Sequence, residues 1–286
     1  MINRLCIIGV GLIGGSLARA LREAGYCREI VGAGRDPVHL QQAVDLGVID
    51  RFETDPARAV QGVELVLVAV PLGAMPAVFA ALRGHLAEGA VLTDAGSAKG
   101  CVIEAVREAF DEVPPWFVPG HPIAGTEHSG VGASLPDLYR ERRVILTPVE
   151  QTDPAAVARV RAMWEAAGAQ VVEMDALHHD AVLAATSHLP HVLAFTLVES
   201  LSRLGDSDEV FDYAAGGFRD FTRIASSDPV MWRDICLANG AAIHRLIERF
   251  IEDLRALDHA IREQDGERLR QLFETAKHTR DRHLKH

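Results

Sequence analysis

The chain has 286 residues, of which 48% are hydrophobic and 24% charged, and its formal net charge at pH 7 is -11. This length and composition suit one large or two medium globular domains, and the acidic balance without Lys/Arg runs argues against a nucleic-acid-binding protein. We find no uninterrupted apolar stretch that could span a bilayer, no signal-peptide pattern and no Cys-x-x-Cys motif, and therefore predict a cytoplasmic protein without membrane segment, disulfide framework or zinc site.

Short apolar, β-branched runs alternate with amphipathic stretches in the first part of the chain. The runs predict seven strands, at 5–10, 30–33, 63–70, 90–93, 116–119, 144–146 and 170–173. Several are apolar throughout, as expected of parallel strands covered on both faces, and helical patterns lie between most of them. We therefore predict an α/β fold in which residues 1–174 form a Rossmann-type, doubly wound, mostly parallel sheet that binds a dinucleotide.

The strand signals stop at about residue 175. Residues 175–286 are predicted to be an all-helical domain for substrate binding and dimerisation. Within it, apolar residues keep one helical face from Ile243 to Ile261, and a second helix is predicted after a break at residue 265. The apolar face predicts either core or a dimer interface.

The segment 9–14, Gly-Val-Gly-Leu-Ile-Gly, lies between the first predicted strand and a helix. In a dinucleotide site the first glycine permits a tight turn, the second admits the pyrophosphate and the third lets helix and strand pack closely. A glycine pattern alone could be only a tight turn, but here a strand, a helix and a second strand surround it. We assign to the cofactor site Gly9, Gly11, Leu12, Ile13 and Gly14.

The end of the second predicted strand bears on the choice of cofactor. NAD-selective proteins usually place Asp or Glu there, whereas this chain has Gly34 followed by Arg35, which leaves room and charge for a 2'-phosphate. The alternative is that Asp36 serves the ribose after a small register shift. We favour NADP over NAD, and we also assign Val70 and Pro71 to the cofactor site.

Three further segments are dense in polar and glycine residues, at 93–100, 119–127 and 186–191. The first two follow predicted parallel strands and so lie at the carboxyl ends of the strands, where open α/β sheets bind ligands. A histidine there, beside a nicotinamide, is suited to acid–base catalysis of hydroxyl oxidation.

Together these segments resemble the prephenate/arogenate dehydrogenase family. The resemblance runs in order from the glycine segment to Asp-Phe-Thr-Arg-Ile-Ala at 220–225 and Ser-Asp-Pro-Val-Met-Trp-Arg-Asp at 227–234. It implies an NAD(P)-dependent homodimeric enzyme that oxidatively decarboxylates prephenate, arogenate or both in tyrosine biosynthesis. We expect none of the ACT-type regulatory domain that some relatives carry, because the chain ends soon after the helical region.

The resemblance also implies roles for individual residues. His121 polarises the ring C4 hydroxyl, and Ser97 hydrogen-bonds near that hydroxyl and the nicotinamide. Arg223 binds a substrate carboxylate, and His191 lies near the substrate side chain. The remaining substrate-pocket residues are Thr126 and two acidic residues that help gate the pocket, Glu127 and Asp220. The departure at residues 34–35 puts the family's usual NAD preference in doubt.

Ordinary structural roles compete with these assignments. Ser97 could cap a helix, and Asp220 and Arg223 are spaced for a helical salt bridge. His178 and His179 suggest a metal site, but no compact ligand set accompanies them, and we predict no metal.

Two other functions compete with the family assignment. A β-hydroxyacid or imine-type dehydrogenase would place a catalytic lysine in the helical part, which is nearly lysine-free before Lys277. A non-catalytic dinucleotide sensor would not require His121, Ser97 and Arg223 together.

Overall fold

The computed structural model describes residues 2–205 and 207–283, apart from the side chain of Ser207. The chain divides into two compact units, Met1–Gly240 and Ala241–His286. This division lies later than the predicted domain boundary at residue 174, which follows the end of the last strand. The helices between residues 174 and 240 are part of the first compact unit, and the boundary at 174 stays a prediction about domains.

A six-stranded parallel sheet forms the centre of the first unit. Its strands are β1 Ile2–Ile8, β2 Cys27–Ala33, β3 Arg51–Glu53, β4 Leu65–Val68, β5 Val91–Asp94 and β6 Phe117–Val118. Their order is β3-β2-β1-β4-β5-β6, the doubly wound order of Rossmann folds, which confirms the predicted fold class. The order reverses between β1 and β4, so the carboxyl ends of these strands mark the ligand crevice. Three-residue β3 at the sheet edge was missed from the sequence.

A second, three-stranded sheet contains β7 Gly120–Pro122, β8 Arg143–Leu146 and β9 Gln170–Glu173. β7 pairs antiparallel with β8, and β8 pairs parallel with β9. The predicted strand at 116–119 is therefore cut short after Val118, because Pro119 has no N–H with which to continue the ladder. His121 does not follow a strand but lies inside β7, opposite Ile145.

Among the described residues, eleven α-helices lie between the strands or follow them in the first unit, up to residue 240. They are α1 Leu12–Glu23, α2 Pro37–Asp45, α3 Pro56–Ala59, α4 Met75–Leu82, α5 Gly100–Phe110, α6 Pro154–Ala166, α7 Ala176–Leu183, α8 Leu189–Ser202, α9 Ser207–Asp212, α10 Gly216–Thr222 and α11 Pro229–Ala238. Successive β1 residues contribute to two separate apolar clusters, Leu5 and Ile7 to one and Cys6 and Ile8 to the other. This alternation shows that the sheet is buried on both faces.

α7, a π-helical turn at Ala184–His188 and α8 form one continuous helix, Ala176–Ser202. The helix has 27 residues, and by length and composition it is apolar enough to cross a membrane. Polar residues such as His179, Asp180 and His188 interrupt its apolar run, so the expectation of no membrane-spanning stretch did not include this helix. His179 and His188 on this helix are nevertheless buried inside the protein, while other residues along it, such as Leu177 and His178, are exposed.

The second unit is helical. α12 Gly240–Arg262 and α13 Gly266–His283 confirm the two helices predicted around the break at residue 265. The predicted apolar face of α12 is only partly buried, since Ile243 is buried whereas Leu254 and Ile261 are exposed.

Candidate active site

The glycine loop after β1 has the geometry of a pyrophosphate site. Gly9 has φ +98°, and an added Cβ would lie 2.4 Å from the Ala69 carbonyl oxygen. A Cβ on Gly14 would lie 2.3 Å from the Gly9 oxygen, so α1 packs as closely as the sequence predicts. A Cβ on Gly11 would meet nothing within 4 Å. α1 begins without a side-chain cap or an acidic residue in its first turn, so its N–H groups suit a phosphate.

The end of β2 carries the residues predicted to select the cofactor. Asp36 is the N-cap of α2, and its Oδ1 accepts hydrogen bonds from two backbone N–H groups of the first turn, at 2.9 and 3.3 Å. Arg35 is exposed and makes no hydrogen bond or ion pair with the residues that the structure describes. At Gly34 a Cβ would come no closer than 3.6 Å to Leu40. Val70, also assigned to this site, lies against Gly9, whereas Pro71 is exposed.

His121 is the central titratable group of the site. It is buried, and its Nδ1 lies 2.9 Å from Nε2 of His179. Burial lowers the pKa of His121 well below 6.5, and His179, Lys99 and His188 lower it further. The His121 ring is therefore neutral at pH 7 and can accept a proton.

A buried ion pair holds the loops on either side of His121. Lys99 Nζ donates to Asp94 Oδ2 at 2.5 Å and to the Gly120 carbonyl at 2.6 Å, and neither charged side chain is exposed. Asp94 also accepts hydrogen bonds from the backbone N–H groups of Gly96 at 2.7 Å and Gly120 at 3.0 Å. Asp94 and Lys99 therefore connect the residue before Ser97 to the residue before His121.

Ser97 lies half-buried in the turn between β5 and α5. It does not cap α5, because Lys99 is at the N-cap position and Asp180 accepts the N–H groups of Lys99 and Gly100. The helix-capping alternative for Ser97 is therefore wrong. Its predicted contact with substrate stays a prediction.

His191, a predicted substrate-pocket residue, packs against an aromatic neighbour. Its ring stacks on Trp232 at a centroid distance of 3.8 Å, and its Nδ1 donates to the Ser187 carbonyl at 2.8 Å. Trp232 Nε1 is buried and has no hydrogen-bond partner among the described residues. The His188 ring lies 6.1 Å from the Trp232 ring between centroids, and burial lowers the pKa of His188 to about 4.

Arg223 pairs with Glu127 rather than with Asp220. Arg223 Nη1 lies 3.1 Å from Glu127 Oε2, so the predicted alternative of a helical Asp220–Arg223 salt bridge is wrong. The Arg223 side chain is 60% exposed, and Asp220 and Thr126 are also exposed. The backbone N–H of Glu127 makes the largest contribution to lowering the pKa of this carboxyl, and Arg223 lowers that pKa further.

Four residues missed from the sequence contribute to this arrangement: Asp94, Lys99, His179 and Asp180. Asp94 and Lys99 lay in a segment already singled out, but their buried pairing had no sequence signal. His179 was considered only as a metal ligand. Among the residues described, no group of three or more His, Cys, Asp or Glu side chains could hold a metal ion.

Two family models match the chain. The prephenate dehydrogenase nucleotide-binding domain matches residues 17–173, and the prephenate dehydrogenase dimerization domain matches residues 175–275. The chain belongs to the prephenate dehydrogenase family. The predicted function, an oxidoreductase for oxidative decarboxylation of prephenate, arogenate or both in tyrosine biosynthesis, is confirmed at the level of this family.

Individual members of the prephenate dehydrogenase family match almost the whole chain. Cyclohexadienyl dehydrogenase from Zymomonas mobilis is 39% identical over 97% of this chain and 95% of its own length. The crystal structure of prephenate dehydrogenase from Aquifex aeolicus with hydroxyphenyl propionate and NAD+ is 38% identical, with a TM-score of 0.91 over 99% of this chain and 98% of that one. Synechocystis arogenate dehydrogenase is 26% identical, with a TM-score of 0.81 over 98% and 100% of the two chains.

Proposed function

We propose that His121 is the general base that removes the C4 hydroxyl proton of prephenate or arogenate. The observation that carries this proposal is a buried histidine, kept neutral by its surroundings, beside the loop that contains Ser97. When bound, the nicotinamide supplies the acceptor for the hydride that leaves C4. Loss of the hydroxyl proton and of the C4 hydride together leave a ring carbonyl, and loss of the ring carboxylate as carbon dioxide returns an electron pair that aromatises the ring. The resulting phenolate oxygen takes the proton back.

The other predicted residues orient the reactants, since aromatisation itself drives the reaction forward. Ser97 contacts the same hydroxyl, and Arg223 holds a substrate carboxylate with bidentate geometry. His191 and the unpaired Nε1 of Trp232 provide polar groups near the substrate side chain. Thr126, Glu127 and Asp220 complete the exposed rim of the pocket.

Initial rates with both substrates and both nucleotides test the activity. Prephenate and arogenate are each assayed with NAD and NADP, and release of carbon dioxide is measured beside nucleotide reduction. We expect turnover with at least one of the four pairs of substrate and nucleotide, and equal amounts of carbon dioxide and reduced nucleotide. The absence of turnover in all four, for a folded protein, contradicts the proposed function.

Replacing Arg223 by Ala is expected to raise KM for the substrate. Loss of a hydrogen bond to a charged carboxylate costs about 1.5–3 kcal/mol, or roughly 10- to 100-fold in KM. The measurement is steady-state kinetics at saturating nucleotide. Arg219→Ala is the matched control, because Arg219 is an exposed arginine one turn earlier on α10. Equal KM values for the two variants would show that the carboxylates are held elsewhere.

We also propose that the protein prefers NADP over NAD. The support is that Asp36 is engaged in capping α2, while Arg35 is exposed without a partner among the described residues. A charge-assisted contact to the 2'-phosphate favours NADP by roughly 10- to 100-fold. Specificity is a difference between two affinities, so the absence of a repelling acid at Gly34 contributes as well.

Variants of this loop test the preference through kcat/KM for each nucleotide. Gly34→Asp, for which Leu40 leaves room, is expected to shift preference toward NAD. Arg35→Ala is expected to weaken NADP use selectively, whereas Arg28→Ala, an exposed arginine at the start of β2, changes neither value. Wild-type preference for NAD together with an unaffected Arg35→Ala variant contradicts the proposal.

We propose that the chain is a cytoplasmic homodimer joined through its helical part. Most of the exposed large apolar side chains among the described residues lie after residue 174, and the dimerization model matches there. Sedimentation at micromolar concentration is expected to give twice the chain mass of 31.0 kDa. Leu254→Glu is expected to raise the dimer dissociation constant, and Leu46→Glu serves as control because the two leucines are 47% and 44% exposed. A wild-type monomer contradicts the proposal.

A further inference from the structure

His121 is the first member of a chain of three buried or nearly buried polar groups. Its Nδ1 lies 2.9 Å from His179 Nε2, and His179 Nδ1 lies 2.8 Å from Asp180 Oδ1. His179 is completely buried, and the Asp180 side chain is 13% exposed. The first of these contacts joins β7 to α7, and its two residues, His121 and His179, are 58 positions apart along the sequence.

Asp180, the group farthest from His121 in this series of hydrogen bonds, determines the protonation state of the other two groups. Asp180 Oδ1 accepts the Lys99 N–H at 2.7 Å, and Oδ2 accepts the Gly100 N–H at 2.9 Å. Burial alone raises the pKa of Asp180, but hydrogen bonds from His179, Lys99 and Gly100 outweigh it and lower that pKa. Asp180 is therefore a carboxylate, which only accepts hydrogen bonds.

An ionised Asp180 determines both imidazole tautomers. His179 Nδ1 must carry the hydrogen that it shares with Asp180, so a neutral His179 has a lone pair on Nε2. The hydrogen between the two rings must then belong to His121 Nδ1. A neutral His121 with hydrogen on Nδ1 has its lone pair on Nε2, the tautomer required of a base that takes a proton at Nε2.

We propose that His179 and Asp180 are positioning residues that hold His121 in the Nδ1–H tautomer and stabilise the imidazolium formed when its Nε2 takes the substrate proton. This inference rests on the proposed role of His121 as general base. In proton transfer, the substrate O–H bond breaks and a His121 Nε2–H bond forms. The Nδ1–H of the new imidazolium keeps its acceptor at His179 Nε2, and the Asp180 carboxylate balances the positive charge. Lys99 and His188 also face His121 and oppose that charge.

Nitrogen NMR tests the tautomers without reference to activity. The full-length protein is labelled with 15N histidine, and two-bond proton–nitrogen correlations at pH 7–8 report which ring nitrogens carry hydrogen. His121→Asn and His179→Gln assign the signals. We expect hydrogen on Nδ1 and a lone pair on Nε2 for both rings. Hydrogen on Nε2 of either ring would overturn the inference, whether or not the protein turns over prephenate.

Kinetics separate a positioning role for His179 from simple packing. Gln can accept a hydrogen bond from His121 Nδ1 through Oε1, whereas Leu fills space but accepts none. We expect His179→Leu to lower kcat roughly 10- to 100-fold, the scale of a hydrogen bond to a charged group, and His179→Gln to recover most of that loss. KM should change little in both variants.

Matched variants make these outcomes decisive. His178→Gln is the control, because His178 is the exposed neighbour of buried His179 and should keep wild-type kcat. Asp180→Asn offers an amide donor where His179 needs an acceptor, and a wrong tautomer lowers kcat by up to about 10⁴-fold in a serine-protease triad. If folded His179→Leu equals or exceeds His179→Gln in kcat, His179 only fills space and the inference fails. If wild type turns over no substrate, the proposed function fails and the NMR result alone decides the tautomers.

Discussion

Replacing His121 by Asn is expected to lower kcat by roughly two to four orders of magnitude, the usual contribution of a general base. Nucleotide affinity should stay close to wild type, because His121 lies in β7 and the glycine loop follows β1. The measurements are steady-state kinetics and nucleotide titration. Asn is smaller than His but polar, so the buried position keeps a hydrogen-bonding group.

The pH dependence of wild type gives a second test of His121. Protonation of the base abolishes its function, so kcat/KM should fall only as pH drops through the pKa of His121. Since burial, His179, Lys99 and His188 lower that pKa, the acidic limb should lie below pH 6.5.

The control for His121→Asn is His178→Asn, which changes an exposed histidine. Near-normal kcat in His121→Asn would remove His121 from the mechanism.

Replacing Lys99 by Met is expected to destabilise the protein by about 3–5 kcal/mol, because Asp94 is left as a buried, unpaired charge. For a unit of this size that corresponds to a fall in Tm of roughly 6–20 °C. The Gly120 carbonyl loses its donor as well, so the position of His121 should loosen and kcat should decrease. Thermal unfolding followed by circular dichroism gives the first effect, and kinetics well below Tm give the second.

The chain contains a matched control for Lys99. Lys277 also pairs with an aspartate, Asp281 at 2.8 Å, but its side chain is 71% exposed. Exposed pairs contribute at most about 1 kcal/mol, so Lys277→Met should leave Tm almost unchanged. The double variant Lys99→Met/Asp94→Asn should be less destabilised than the sum of its single changes, since neither partner then carries an unpaired charge. Equal Tm values for Lys99→Met and Lys277→Met would mean that the buried pair contributes no stability.

The cofactor end of the site could be predicted well because its signals are local. Gly9 and Gly14 are required by backbone conformation and by contacts of α1 with its own strand, and both follow from a six-residue segment. The role of Asp36 as the N-cap of α2 could also have been predicted. An aspartate followed by proline begins α2, as it begins α11 at Asp228, and the cap involves only the next two or three residues.

The contacts of the predicted catalytic and substrate-binding residues could be predicted only in part. His121 was found through its motif and its place after a predicted strand, but it lies inside β7, a strand of the second sheet that was not predicted. His179 was singled out for its neighbour His178, and a metal was the only role considered. Arg223 was found, whereas its partner in the structure is Glu127, 96 positions away, and not the Asp220 that local spacing suggested.

By itself the sequence determined the doubly wound fold, the glycine turn, the helical second half and the segments that carry the chemistry. These features depend on periodicity, on backbone conformation and on hydrogen bonds between residues a few positions apart. Only the tertiary structure decided which polar groups are buried and which of them meet. Asp94 reaches Gly120 because β5 ends beside the start of β7, and His121 meets His179 because α7 packs against α5, whose start Asp180 caps. Such contacts depend on the order in which strands and helices pack, and that order brings together residues whose separation along the chain predicts no contact.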